Sequence, residues 1–186
     1  MANIEKGEVI LFFNDHRSFV GDTFFRIVTQ FGELIGYLVA MAFIGYHRWR
    51  STWLVPLTGA VVMISSKGLK EIFQQNRPIA WFREQELFDT LHTIAGEPLL
   101  TGASSFPSGH AMSAFALYGL IAFLMPRKKG FGIIMLSIAA LVALSRVYLI
   151  HHFYMDVYVG AIVGATIGIM VYMLGNLPRF SDKHGV

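Results

Sequence analysis

The 186-residue chain has no cysteine and little charge. Without cysteine there can be no disulfide framework, no thiolate nucleophile and no cysteine-ligated zinc. Charged residues make up 15% of the chain, against roughly 25% in soluble domains. The net charge is only +3 and no long basic block is present, so there is no footprint for nucleic acid. Internal repeats and low-complexity tracts are also missing. The first residues, Met1 to Asp22, do not show the basic-then-apolar pattern of a cleavable signal peptide, so insertion into a membrane is expected to rest on the spans themselves. Hydrophobic residues reach 54%, which points to a chain solvated largely by lipid.

Five segments approach the ~20 apolar residues that cross a bilayer as a helix: Phe24–Tyr46, Trp53–Phe73, Gly109–Met125, Phe131–Ile150 and Met155–Leu174. Two are impure. Arg26 and Glu33 interrupt the first, and Lys67, Lys70 and Glu71 the second. Gly160, Ala161, Gly164, Ala165 and Gly168 recur through the fifth, a spacing that lets helices approach closely in lipid. Val9–Phe13, set among Glu8, Asp15, His16 and Arg17, reads as an amphipathic interfacial helix. The expected fold is therefore all-α: one membrane-embedded domain over 1–186, with an interfacial segment at 1–22, about five transmembrane helices, an extracytoplasmic loop at 74–108 and a cytoplasmic tail at 176–186.

Orientation follows from the basic residues at span ends. His47, Arg48 and Arg50, then Arg127, Lys128 and Lys129, then Arg179 and Lys183 fall on one side of antiparallel spans, and that side is expected to be cytoplasmic. Trp49 and Trp53 at the inner boundary and Trp81 at the outer one fit interfacial anchoring. The expected setting is the inner membrane of a bacterium, with the long loop outside.

Three polar clusters then share the outer ends of spans two to five. Lys70 and Arg77 are seven residues apart, about two helical turns if the helix continues; Pro78 argues for Arg77 at a helix end. Pro107-Ser108-Gly109-His110 opens the third span. Ser108 suits an N-cap, Gly109 allows close approach to the backbone, and the free N–H groups of that helix end can hold phosphate. The third cluster is Arg146, His152 and Asp156. His152 and Asp156 could share a helix face at a spacing of four, the carboxylate holding one imidazole nitrogen protonated while the other attacks. Arg146 offers a planar fork for phosphate oxygens.

These clusters resemble, in order and spacing, the three signatures of the type-2 phosphatidic acid phosphatase family, which also includes vanadium haloperoxidases and glucose-6-phosphatase. The resemblance covers roughly Gly68 to Asp156. It implies that His152 is the nucleophile, His110 the general acid and base, and Asp156 the residue that orients His152. It implies that Lys70, Arg77, Ser108, Gly109 and Arg146 bind phosphate. The family's membrane members usually have six spans, one more than the five read here.

Each residue also has a plainer reading. Lys70 could snorkel, Arg77 could pair with Glu84 or Glu86, Ser108 could be only a cap, and Arg146 could mark a span boundary. His151 reads as a structural neighbour and His92 as a loop residue without partners. Glu33 reads as a structural partner of Lys67 or Arg26, with substrate entry as its other option. No cofactor is expected. A metal site is disfavoured because three cations would oppose a divalent ion.

The activity expected is that of a metal-independent lipid phosphate phosphatase working through a phosphohistidine. Its substrate would be a phosphomonoester or pyrophosphate headgroup lipid, such as phosphatidylglycerophosphate, undecaprenyl pyrophosphate, phosphatidic acid or lipid A phosphate. Ile79–Phe82 would rest in the interface, and the loop 79–106 would cover or border the pocket. Two rivals stay open: a lipid phosphotransferase using the same site, and a transporter with a His/Asp proton relay. Partners are membrane lipids and the substrate, not nucleic acid; oligomeric state is not written in the sequence.

Overall fold

The protein, seen as a computed structural model, is described for residues 6–125 and 130–176. Arg127, Lys128, Lys129, Arg179 and Lys183, with most of the expected tail, lie outside the described residues. Within them the chain is helical and contains no strand. Eight α-helices follow one another: α1 Glu8–Asp15, α2 Phe19–Thr29, α3 Leu34–Arg48, α4 Leu54–Phe73, α5 Pro78–Glu84, α6 Gly109–Leu124, α7 Phe131–Tyr148 and α8 Tyr154–Gly175.

Helix α6 is the centre of the bundle. Ala111, Met112, Ala114, Ala116, Leu117 and Leu120 are all fully buried along it, so it is apolar on every side. Against it lies α8, through the glycines anticipated from spacing. A Cβ on Gly160, Gly164 or Gly168 would stand 2.7, 2.3 or 2.8 Å from the carbonyl oxygens of Ser108, Met112 and Ala116. Both series step by four residues, so the two backbones touch over three successive turns. Only glycine permits that approach. The Ser108 N–H also donates to the Asp156 carbonyl oxygen at 2.9 Å, locking the start of α6 to the start of α8.

Among the described residues two helices, α7 and α8, are long and apolar enough by themselves to cross a membrane. Helix α4 has 20 residues, but Lys67, Lys70 and Glu71 crowd its last turns. Helix α6 has 16, a rise of about 24 Å. The span expected over Phe24–Tyr46 is not one helix. It breaks through the 3₁₀ turn Gln30–Gly32 and bends by 59° between α2 and α3. Glu33 sits at the break in extended conformation (φ −117°, ψ −156°), and Gly36 lets the chain fold tightly there, since a Cβ on it would lie 2.0 Å from the Phe31 carbonyl oxygen.

Helix α1 forms where the amphipathic segment was expected, yet part of its apolar face is spent on protein. Ile10 is buried in a cluster with Ile79, Phe82, Val147 and Phe153, while Phe12 stays exposed. The same cluster corrects the reading of Ile79–Phe82 as an interfacial patch: Ile79 and Phe82 are fully buried. At the opposite end of the bundle Trp49 and Trp53 are exposed.

Candidate active site

The first cluster is assembled by a chain reversal. Helix α4 does not continue to Arg77. Gln74 adopts a left-handed conformation (φ 43°) and closes the helix by donating its N–H to the Lys70 carbonyl at 3.0 Å. Arg77 is instead the N-cap of α5, with Pro78 in the first helical turn, where a missing N–H costs nothing. The loop returns to this corner: Arg77 N–H donates to Gly102 O and Ser105 N–H to Gln75 O, each at 3.0 Å. The Arg77 guanidinium reaches the His151 carbonyl at 3.1 Å and Ser104 Oγ at 3.4 Å. It does not pair with Glu84, which accepts instead from Asn76 at 2.8 Å. Burial lowers the Arg77 pKa and the Asp156 charge opposes this. Lys70 lies in the field of Arg77, Arg146 and Asp156.

The second cluster is a helix start. Ser108 is fully buried and caps α6, its side chain accepting from Ala111 N–H at 3.5 Å. A Cβ on Gly109 would stand 3.0 Å from Ser66 Oγ and 3.9 Å from Lys70 Nζ. The Lys70 ammonium lies beside this helix end, and the tight neighbour of Gly109 is the Ser66 hydroxyl. His110 Nε2 lies 2.5 Å from Glu33 Oε1.

The third cluster is not built on one helix face. Helix α7 ends at Tyr148, and a tight turn follows in which Ile150 has φ 59° and the Arg146 carbonyl accepts the N–H groups of both His151 and His152, at 2.9 and 3.1 Å. His152 therefore precedes α8 instead of lying within it. Asp156, in the first turn of α8, reaches back: its Oδ2 accepts the Phe153 N–H at 3.0 Å, lies 3.4 Å from His152 Nδ1, and also accepts from Ser105 Oγ. His152 and Asp156 are both 2% exposed. Burial pushes the His152 imidazole down, and its hydrogen bond to Asp156 works against that. The neutral form, the one able to attack, is favoured on balance. Arg146 is 5% exposed and donates to Thr29 Oγ1 at 2.6 Å, while its Nε is buried without a hydrogen-bonding partner among the described residues.

All eight candidate residues thus come to one end of the bundle. Residues not singled out from the sequence also take part: Ser105 on Asp156, Thr29 on Arg146, Ser66 beside Gly109. Nothing in a serine or threonine isolated in sequence signals such a contact. The loop is held down by its own set. Asn14 exchanges two hydrogen bonds with the His92 backbone, at 2.8 and 2.9 Å. Arg26 pairs with Glu97 at 3.2 Å, and Glu33 with His110, not with Lys67 or Arg26. His151 Nε2 is 3.3 Å from Glu97. Burial, then the Arg146 charge, pushes His151 down to about 3, so that contact joins a neutral ring to a carboxylate.

A cleft of about 750 Å³ opens beside these clusters. Lys70, Gly109 and Ser104 line its polar part, Tyr37, Gly59, Val62 and Met63 its apolar part. The loop contributes Ala103 and Ser104 to its rim.

Residues 51–178 match the family model of the PAP2 superfamily. Phosphatidylglycerophosphatase B of Bacillus subtilis (strain 168) is 33% identical over 163 residues, 78% of this chain and 70% of the relative. Decaprenylphosphoryl-5-phosphoribose phosphatase of Mycobacterium tuberculosis is 33% identical over 155 residues, 81% of this chain and 78% of the relative. The crystal structure of Aquifex aeolicus LpxE shares the fold, with a TM-score of 0.76 at 24% identity over 93% of this chain and 98% of that one. The PAP2-type phosphatidylglycerolphosphate phosphatase from Bacillus subtilis aligns with a TM-score of 0.62 at 26% identity, over 92% of this chain and 85% of that one.

Proposed function

The chain belongs to the PAP2 superfamily and is a membrane phosphatase, and on that premise we propose that it hydrolyses the phosphate headgroup of a lipid through a phosphohistidine, without a metal. The observation that carries this reading is the cleft, which runs from Lys70 and Gly109 to an apolar wall at Gly59 and Met63. It joins two of the proposed phosphate-binding residues, Lys70 and Gly109, to an apolar wall in one cavity. Relatives named for phosphatidylglycerophosphate and for a decaprenyl-phosphoryl sugar phosphate favour the same substrate class.

Phosphate docks between Lys70, Arg77, Arg146 and the helix end at Ser108 and Gly109. The unpartnered Arg146 Nε suits a phosphate oxygen. Asp156 engages His152 Nδ1, which leaves Nε2 to attack phosphorus. As the new N–P bond forms, the ester P–O bond breaks and His110 gives a proton to the departing oxygen. His110 then takes a proton from water as water attacks phosphorus, which breaks the N–P bond and releases phosphate. Phosphoryl transfer asks mainly for positioning and for neutralised charge on the equatorial oxygens, which three fixed cations supply. We read five crossings, the bent α2–α3 pair with α4, α6, α7 and α8, in a bacterial inner membrane, with the site on the extracytoplasmic face. The whole chain acts as one domain.

The test is phosphate release from a panel of purified lipid phosphates. His152→Ala is expected to give no measurable turnover while still inserting, and wild-type activity is expected to persist in chelator. Turnover by His152→Ala would overturn the assigned nucleophile, and loss in chelator the metal-free mechanism.

A further inference from the structure

His152 has Asp156 as its carboxylate, and His110 has one of its own. Glu33 Oε1 lies 2.5 Å from His110 Nε2, across 77 residues of sequence. The pair is not a chance meeting of long side chains, because the break that carries Glu33 is fastened on three sides. Tyr118 on α6 donates its hydroxyl to the Phe31 carbonyl at 2.9 Å. Arg146 on α7 donates to Thr29 at 2.6 Å. Gly32 packs so tightly that a Cβ there would stand 2.6 Å from Val142 Cγ1 and 3.4 Å from the His110 ring.

Glu33 also occupies the N-cap position of α3 without capping it. Its carboxylate is turned away from its own helix and onto the histidine. A stability role explains this poorly, since the Glu33 side chain is 55% exposed and exposed pairs contribute little. The partner, by contrast, is the group that moves protons.

We propose that Glu33 is a positioning residue for His110, accepting its Nε2–H and so leaving Nδ1 to pass the proton to and from the substrate. Among the described residues Nδ1 has no hydrogen-bonding partner. The site thus holds two carboxylate–histidine pairs with separate tasks: Asp156 sets the nucleophile and Glu33 the acid–base. This rests on the phosphatase reading above.

The two tasks separate by leaving group. An alkyl phosphate needs its departing oxygen protonated, whereas the p-nitrophenolate of an aryl phosphate leaves without help. The first-step constant kcat/KM of Glu33→Gln and Glu33→Ala, in purified protein, is therefore compared on a long-chain alkyl phosphate and on p-nitrophenyl phosphate. A loss of about tenfold or more is expected on the alkyl ester and less than about threefold on the aryl ester. Equal losses on both, or no loss on either, would overturn the assignment of Glu33 alone. A wild-type protein that releases phosphate from neither ester would overturn the phosphatase reading itself.

Discussion

At the scale of single residues, one carboxylate oxygen holds His152, the proposed nucleophile, in place. Asp156 Oδ2 is engaged by the Phe153 N–H, by Ser105 and by His152. Two of these contacts fix the carboxylate so that the third can fix the imidazole. Replacing Asp156 with Asn puts an amide where an acceptor is required and favours the wrong tautomer. A fall in kcat on the order of 10³ is expected, since the equivalent change in a serine protease triad costs about 10⁴. Ser105→Ala removes only one of the supporting donors to a charged oxygen, a bond of about 1.5–3 kcal/mol, and is expected to lower kcat about tenfold. Steady-state phosphate release on the same lipid checks both, and a Ser105→Ala variant as impaired as Asp156→Asn would mean that the serine touches substrate.

At the scale of elements, the site depends on how closely α8 approaches α6. The start of α6 carries Ser108, Gly109 and His110, and the start of α8 carries Asp156. Any separation of the two helices parts His110, the proposed acid–base, from Asp156, which bonds to His152. Gly164→Val inserts a side chain where a Cβ already stands 2.3 Å from the Met112 carbonyl oxygen. Overpacking of this kind costs about 1–3 kcal/mol or more. A lower melting temperature in detergent is expected, with activity lost in parallel. Gly119→Ala, on α6 where a Cβ meets nothing within 4 Å, is expected to leave both unchanged. Equal melting temperatures for the two variants would deny the close packing its role.

At the scale of the whole molecule, the prediction concerns sidedness. The absence of cysteine makes the chain a clean host for single-cysteine labelling. Gln85, at the end of α5 near the site, and Arg50, at the other end of the bundle, are both exposed. Gln85→Cys is expected to react with a membrane-impermeant maleimide in intact cells, and Arg50→Cys only after permeabilisation. The reverse pattern would put the site on the cytoplasmic face. The all-helical class, the glycine seam and the residues of the three clusters were legible in the sequence, because hydropathy, small-residue spacing and short motifs are local properties of the chain. Four of the five expected spans agree with helix bounds to within a residue or two. The break at Glu33 was not legible, since an apolar stretch interrupted only by Arg26 and Glu33 reads as a continuous helix until Tyr118, Arg146 and Val142 are seen to hold it bent. For the same reason the sequence pairs Glu33 with Arg26, on the same expected helix, or with Lys67, on the next one. The partners Ser105, Thr29 and Glu33 lie 51, 117 and 77 residues from the groups they hold. The sequence by itself determined which groups could do the chemistry. Only the tertiary structure decided what orients each of them, because a hydrogen bond across such separations depends on how helices pack and on no pattern within any one of them.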